Sequence, residues 1–114
     1  MLIPYKKDYE KTAMGLLSYL TDYKNLKNLK DEIDLLNGDN EFGLYLYRNE
    51  YNNIVGVVGT QETEHFIIVR YLSLAPGFRD EENQRKLLNE LADAHVKKRI
   101  TAIPECTYLL KLLH

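Results

Sequence analysis

The sequence predicts an α/β (α+β) protein whose elements follow the order β α α β β β α β α. Three observations indicate this order: apolar residues recur at helical spacing in three segments, alternating or β-branched runs occupy the middle of the chain, and turn residues separate these segments. At 114 residues the chain is long enough for one domain with its own core. We therefore treat residues 1–114 as a single domain.

The first third of the chain is predicted to hold one short strand and two amphipathic helices. Leu2 to Tyr5 is apolar enough for an opening strand, and Asp8 stands where a helix N-cap accepts backbone hydrogen bonds. Two apolar stripes follow, separated by a polar break at residues 21–25. The stripes are Tyr9, Ala13, Leu16, Leu17 and Leu20, and then Leu26, Leu29, Ile33 and Leu36.

The middle of the chain is predicted to form three strands with a bulge in the third. Residues 42–47 and 54–60 form a hairpin across turn residues 49–53. In the next strand, Ile67 and Val69 share one parity, whereas Leu72 and Leu74 share the other. One extra residue between Val69 and Leu72 explains this shift, which indicates a β-bulge.

The last third is predicted to contain the longest helix, a short strand and a helical tail. Pro76-Gly77 ends the preceding strand, and residues 81–98 carry an apolar stripe at helical spacing. The acidic residues 80–82 lie at the positive N-terminal end of this helix. Residues 100–103 form the strand, and Pro104 suits the first turn of the tail, which runs to Leu113.

Composition excludes several classes of protein. The chain is 45% hydrophobic and 28% charged, so neither disorder nor a membrane span is expected. The net charge is −2 with acidic and basic residues interleaved, which argues against nucleic acid as a partner. Cys106 is the single cysteine, and the N-terminus has no signal-peptide pattern, so we expect a cytoplasmic protein. His65 and His95 lack further ligands at suitable spacing, so no metal site is expected.

The order of elements and the segment Val69-Arg70-Tyr71-Leu72-Ser73-Leu74-Ala75-Pro76-Gly77-Phe78-Arg79 resemble the GNAT N-acetyltransferases. Across the whole chain, and especially over residues 1–17, the sequence is similar to the RibT group of GNAT-like proteins, whose genes accompany riboflavin synthesis genes. The resemblance implies a mixed, mostly antiparallel sheet. It also implies a cleft where the bulged fourth strand parts from the fifth.

In that family the pantetheine arm of acetyl-CoA or another acyl-CoA lies in this cleft, so backbone groups near Leu72 and Leu74 are expected to pair with it. The acceptor is a primary amine on a small molecule or a protein. Most members add two strands after the last helix, and this sequence shows neither. A partner subunit in a homodimer could supply the missing wall.

The family's pyrophosphate loop places an Arg or Gln, two residues, a Gly, one residue and a Gly or Ala just before the long helix. Here Arg79 occupies the first position, but Glu82 and Gln84 replace the two small residues. Each like-charge contact at about 4 Å costs roughly 1 kcal/mol in water, so the acidic loop predicts weakened CoA binding. Basic side chains could compensate for the acidic loop if they reach the phosphates. Beyond the cleft strand, the expected cofactor contacts are Arg79, Asn83, Gln84, Arg85 and Lys86.

Two tyrosines are candidate catalytic residues. Many family members protonate the departing thiolate with a tyrosine on the last helix, where Tyr108 is the only tyrosine here, about one turn too early. Tyr71 lies inside the predicted bulge, where its hydroxyl could face the cleft. Ordinary packing is the alternative role for both, because tyrosine is also a common strand and core residue.

Two functions remain open at the level of sequence. The first is acyl transfer from acetyl-CoA or another acyl-CoA to a primary amine, with an altered pyrophosphate loop and a link to riboflavin synthesis. The second is a non-catalytic binding or regulatory protein on the same fold. A hydride-transfer enzyme is excluded, because no Gly-x-Gly-x-x-Gly follows a strand.

Overall fold

The computed structural model describes residues 1–20 and 41–113. Within these ranges, five strands form one sheet in the order β1-β2-β3-β4-β5. Neighbours in this order are antiparallel from β1 to β4, and β5 runs parallel to β4, so the predicted mixed, mostly antiparallel sheet is confirmed. The strands are β1 (Leu2–Pro4), β2 (Phe42–Arg48), β3 (Ile54–Glu62), β4 (Phe66–Leu74) and β5 (Arg99–Ala102).

Two α-helices and two segments of 3-10 helix accompany the sheet in the described ranges. Helix α1 is Glu10–Leu17, and helix α2 is Glu81–Ala94. A 3-10 turn, Lys7–Tyr9, precedes α1, and a 3-10 helix, Pro104–Leu112, follows β5. The predicted second helix, with its stripe from Leu26 to Leu36, lies outside the described residues.

Two helix ends differ from the sequence prediction. Asp8 lies within the 3-10 turn and is not the N-cap of α1; that position belongs to Tyr9, with no side-chain hydrogen bond. Helix α2 stops at Ala94, whereas the apolar stripe predicted helix to residue 98. The backbone leaves the helical region at His95, with φ of −132°, and the His95 N–H closes the last turn on the Ala92 carbonyl.

Each face of the sheet carries its own apolar cluster. Helix α2 and the C-terminal 3-10 helix cover one face with Leu87, Leu88, Leu91 and Leu109, all fully buried. Helix α1 covers the other face, where Ala13, Leu16 and Leu17 are buried. Alternation along the strands supplies both clusters, because successive side chains point to opposite faces.

The predicted bulge lies in β4 at Arg70. Gly59 pairs with Tyr71 and Thr60 pairs with Val69, so Arg70 is the extra residue opposite β3. The insertion puts Val69 and Leu72 on the α2 face although they are three residues apart. Tyr71 then falls on the α1 face. Because the bulge restarts the alternation, it decides which β4 side chains line each side of the sheet.

No helix in the part of the chain that the structure describes is both long and apolar enough to cross a membrane.

Candidate active site

Strand β4 loses its neighbour on one side at the bulge. Strand β5 pairs with it from Phe66 to Val69, and the Ile103 N–H donates to the Val69 carbonyl at 3.0 Å. The chain then turns into the 3-10 helix at Pro104, and no described strand pairs with this side of β4 beyond Val69. The two parallel strands therefore separate at the bulge, as the resemblance to the GNAT family implied.

The separation leaves an open backbone edge at Leu72 and Leu74. The Ala75 N–H donates to the Val55 carbonyl at 2.8 Å, so the backbone groups of residue 75 point toward β3. In an antiparallel ladder, residues two apart point the same way and the residue between them points the opposite way. The backbone N–H and C=O groups of Leu72 and Leu74 therefore face away from β3, toward the side that β5 has left.

A cleft of about 220 Å³ lies beside this edge. Helix α2 contributes Gln84, and the end of the α1 segment contributes Tyr19 and Leu20. The remaining lining residues come from β4 and the segment after it: Leu72, Ser73, Leu74 and Arg79. Four of the seven residues predicted to bind the cofactor, namely Leu72, Leu74, Arg79 and Gln84, are thus brought together in one cleft.

Arg79 is held at the cleft by two contacts. Its Nε donates to the Leu74 carbonyl at 2.8 Å, and its guanidinium carbon lies 4.6 Å from the centre of the Tyr19 ring. This distance is within the range of a cation–π interaction. The contacts use one N–H and one face of the planar group, and the terminal NH₂ groups make no hydrogen bond within the described ranges. Arg79 can therefore offer paired donors to an anion in the cleft.

The N-terminus of α2 also borders this region. Asp80 is the N-cap, with extended backbone (φ −75°, ψ 163°) and no side-chain capping bond; its carboxylate instead accepts from Asn83 Nδ2 at 2.6 Å. The first intrahelical bond of α2 runs from the Gln84 N–H to the Asp80 carbonyl at 3.2 Å. The N–H groups before Gln84 have no intrahelical acceptor, which makes this helix end attractive to anions.

Glu82 and Lys86 lie along another face of α2. Lys86 and Glu82 form an ion pair at 3.4 Å, and the adjacent Glu82 carboxylate raises the pKa of Lys86. Both line a second cavity of about 600 Å³ together with Asn83. Arg85 lies elsewhere again, because its Nε donates to the Leu112 carbonyl at 3.3 Å. Asn83, Arg85 and Lys86 are therefore not among the residues that line the Leu72–Gln84 cleft.

Neither predicted catalytic tyrosine lines that cleft. Tyr71 is buried in the α1-side cluster, and its ring lies against Gly59, where a Cβ atom would come within 2.3 Å of the Tyr71 Cζ. Tyr108 is 56% exposed on the C-terminal 3-10 helix. Partial burial raises the pKa of the Tyr108 hydroxyl, with a smaller contribution from Cys106.

The single cysteine belongs to the core and not to a cluster of ligands. The buried Cys106 thiol donates to the Arg70 carbonyl at 3.4 Å, so it helps to hold the bulge. Within residues 1–20 and 41–113, no group of three or more His, Cys, Asp or Glu side chains could hold a metal ion.

Arg70 has no role among the residues predicted from the sequence, although the phase shift in β4 indicates an extra residue at this position. The guanidinium carbon of Arg70 lies 5.1 Å from the centre of the Phe42 ring. Its Nε atom is buried and has no hydrogen-bond partner within the described part of the chain. The Arg70 guanidinium therefore lies on the sheet face that α1 covers, because Phe42 packs against the apolar cluster on that face.

A curated relative decides the family of the chain. An uncharacterized N-acetyltransferase encoded in the lysA 3′ region of Bacillus methanolicus is 31% identical over 101 residues, which span 88% of this chain and 83% of the relative. The chain belongs to the GNAT N-acetyltransferase superfamily. No family model matches it.

Solved GNAT structures share the fold of this protein. An aminoglycoside N-acetyltransferase, AAC(6′)-Iy, in complex with CoA superposes with a TM-score of 0.73 at 10% identity, over 98% of this chain and 82% of that one. A chimera of the spermidine N-acetyltransferase of Vibrio cholerae gives 0.72 at 17% identity, over 98% and 76%. A possible acetyltransferase from Clostridium difficile gives 0.71 at 13% identity, over 90% and 78%. The GNAT fold that the sequence predicted is therefore confirmed.

Proposed function

We propose that this protein transfers an acetyl group, or another acyl group, from its CoA thioester to a primary amine. The observation that carries the proposal is the open edge of β4 at Leu72 and Leu74, which ends at the bulge on one side and at Arg79 on the other. An extended ligand with amide groups can pair with such an edge as an added strand. The pantetheine arm of CoA is such a ligand, and a GNAT relative with this fold is known in complex with CoA.

The phosphates of CoA would lie at the Arg79 end of the cleft. Arg79 is held there by the Leu74 carbonyl and the Tyr19 ring, and its planar fork suits phosphate oxygens. The N-terminus of α2 adds a favourable dipole and backbone donors at the same end. This arrangement supports binding of the pyrophosphate, with the thioester directed toward the bulge.

The two altered loop positions make different contributions in this proposal. Gln84 lines the cleft, so its side chain occupies space that a smaller residue leaves to the ligand. Glu82 is paired with Lys86 along another face of α2, so its charge is partly neutralised and directed away from the cleft. Gln84 is thus the main cause of weakened CoA binding. Cofactor contacts from Asn83, Arg85 and Lys86 stay predictions, as does the RibT-like link to riboflavin synthesis.

Acyl transfer at this site requires alignment more than reactive side chains. The neutral amine nitrogen attacks the thioester carbonyl carbon, a C–N bond forms, and the C–S bond breaks with its electron pair on sulfur. The nitrogen loses a proton to a base or water, and the thiolate gains one, so the products are an amide and free CoA. Backbone N–H groups at the bulge can polarise the carbonyl. Tyr71 and Tyr108 stay predicted participants in proton transfer.

The experiment that tests the proposal follows product formation directly. The protein is incubated with acetyl-CoA and a panel of primary amines, and the acetylated amine and free CoA are quantified by mass spectrometry. Arg79→Met should reduce turnover at least about tenfold, because a charge-assisted contact to phosphate is worth about 1.5–3 kcal/mol. Lys111→Met removes a surface charge elsewhere and should leave turnover unchanged.

Turnover that is no higher than in a protein-free control would contradict the proposal. Equal turnover by wild type and Arg79→Met would contradict the assignment of Arg79 to the phosphates. Binding of acetyl-CoA without transfer to any amine would leave the non-catalytic binding protein as the function.

A further inference from the structure

Arg70 is a cation with an unused donor at the point where β4 and β5 separate. Its Nε atom is buried without an acceptor, and its guanidinium makes no ion pair with a carboxylate in the described ranges. Arginine stays protonated in proteins, and a buried donor without a partner lowers stability. Such a group in a native structure calls for a partner, such as an ordered water, an ion or a ligand.

The surroundings of Arg70 hold its guanidinium in a defined plane. The Phe42 ring lies 5.1 Å from its central carbon, and the backbone carbonyl of Arg70 accepts from the Cys106 thiol at 3.4 Å. The carboxylate of Glu41, the sequence neighbour of Phe42, accepts from Gln61 Nε2 at 2.6 Å, and no salt bridge within the described residues joins it to Arg70. The guanidinium is therefore stacked on one face, and its Nε has no acceptor within the described residues.

Arg70 lies at the end of the cleft where the acceptor would bind, and Arg79 lies at the end where the CoA phosphates would bind. The proposed pantetheine site runs along Leu72 and Leu74 and ends at the bulge, whereas Arg79 lies at the opposite end. Phe42 belongs to the cluster on the α1 face, so the Arg70 guanidinium lies on that face. A group bound by Arg70 would lie beside the thioester end of the cleft, across the sheet from α2.

We propose that Arg70 binds an anionic group of the acceptor, so that the preferred substrate is a primary amine that also carries a carboxylate or a phosphate. This inference rests on the proposed acyl transfer and names its substrate class. A guanidinium fork matches the paired oxygens of either anion. A polycationic amine would instead bring positive charge toward Arg70. Aminoglycosides and spermidine, which the names of two structural neighbours mention, are amines of that kind.

The test compares acceptors that differ only in the anionic group. Straight-chain amines of equal length are used as the plain alkylamine, the ω-amino carboxylate and the ω-amino phosphate, with spermidine as the polycation. Formation of acetylated product is followed by mass spectrometry to obtain kcat/KM. Wild type should favour one anionic series over the alkylamine by about tenfold to a hundredfold, the range expected of a hydrogen bond to a charged group. The better of the two anionic series distinguishes carboxylate from phosphate.

Arg70→Met is the informative variant, because it keeps an apolar chain on Phe42 and removes the charge. It should lose the preference, so that kcat/KM for the anionic amines falls to about that for the plain alkylamine measured with the same variant. Arg99→Met is the matched control, since Arg99 is exposed on the neighbouring strand β5. It should keep the wild-type preference. An equal loss in both variants, or an undiminished preference in Arg70→Met, would overturn the proposal.

A binding measurement separates this inference from the proposed chemistry. The thermal unfolding midpoint Tm is measured while 5-aminopentanoate or inorganic phosphate is added, with CoA present and absent. The anion should raise the Tm of wild type and of Arg99→Met, but not that of Arg70→Met. Failure of all amines as acceptors would remove the proposed function, while an Arg70-dependent rise in Tm would still support the anion site. A Tm rise that does not depend on Arg70, or no rise in wild type, would refute it.

Discussion

At the scale of single residues, the contact between Gly59 and Tyr71 defines the bulge region. The two residues face each other across β3 and β4, and the Tyr71 ring occupies the space above the Gly59 backbone. An added Cβ would lie 2.3, 2.5 and 2.6 Å from three atoms of that ring. Tyr71 is buried at 5% exposure, so the ring has little room to move. The glycine is therefore required by the close approach of the ring.

Gly59→Ala should destabilise the protein by about 1–3 kcal/mol, the cost of overpacking a filled core. Urea unfolding measures the change. Gly15→Ala is the control, because a Cβ there meets no atom within 4 Å and Gly15 lies in helix α1. It should stabilise the protein by about 0.5–1 kcal/mol, since alanine replaces glycine inside a helix. A Gly59→Ala protein as stable as wild type would mean that Tyr71 is not packed against this backbone.

At the scale of elements, helix α1 is joined to β4 by one buried hydrogen bond. Ser73 Oγ donates to the Leu16 carbonyl at 2.6 Å, near the end of α1. Ser73 is 5% exposed and follows the α1-facing Tyr71 by two residues. The Leu16 carbonyl also accepts from the Tyr19 N–H at 3.3 Å, so it is shared between the turn after α1 and the Ser73 hydroxyl. The Ser73 bond fixes α1 beside the cleft that Tyr19 and Leu20 help to line.

Ser73→Ala should lower the free energy of unfolding by about 1 kcal/mol, because one buried hydrogen bond is lost while the Leu16 carbonyl keeps the Tyr19 N–H as a donor. Chemical denaturation measures this loss. Ser18→Ala serves as a control, because the Ser18 hydroxyl bonds the Gly15 carbonyl at an exposed position. Its effect should be smaller than that of Ser73→Ala. Equal effects of the two substitutions would show that burial of the Ser73 bond is unimportant.

Strand β2 contacts the end of α2 through a half-buried tyrosine. The Tyr45 ring meets the His95 ring edge-on, with centroids 6.1 Å apart. Burial of the Tyr45 hydroxyl raises its pKa above the ordinary value of 10.0, and the nearby Glu62 carboxylate raises it further. The unfolded chain therefore loses this proton first as the pH rises. The contribution to stability is complete below pH 10.0 and decreases as the pH approaches the folded pKa.

Tyr45→Phe should make the unfolding free energy less dependent on pH in the alkaline range. The measurement is urea unfolding between about pH 8 and pH 11, on either side of the ordinary tyrosine pKa. Tyr51→Phe is the control, because Tyr51 is 77% exposed. It should leave the wild-type profile unchanged. A steep alkaline loss that persists in Tyr45→Phe would assign the effect to another group.

At the scale of the whole molecule, the sequence pattern predicted the sheet better than the site. Strands β2 to β4 and the bulge follow from alternation, because a shift in parity within one strand requires an extra residue. The start of α2 at Glu81 was predicted correctly, but the sequence did not show which side of the first turn borders the cleft. Glu82 and Gln84 are two positions apart, which places them about 200° apart around a helix. In the structure only Gln84 lines the cleft, while Glu82 meets Lys86.

The role of Arg70 also depends on three-dimensional packing. Parity in β4 indicates an extra residue but not the ring on which its side chain stacks. Phe42 lies on another strand and meets Arg70 only when β2, β3 and β4 are in register. The missing hydrogen-bond partner of its Nε is likewise a property of the folded chain. Long-range contacts of this kind leave no local pattern in the sequence.

In the proposed function, the cleft beside Leu72 and Leu74 binds CoA, and the Gln84 side chain restricts it. Calorimetric titration with acetyl-CoA of wild type, Gln84→Ala and Glu82→Ala tests both parts, at low and at moderate salt. Gln84→Ala should tighten binding about threefold to tenfold at both salt concentrations, because space is gained without a change of charge. Glu82→Ala should change the affinity less, and mainly at low salt. Unchanged affinity in Gln84→Ala would show that its side chain does not restrict the cleft, and no binding by any of the three proteins would show that the cleft does not bind CoA.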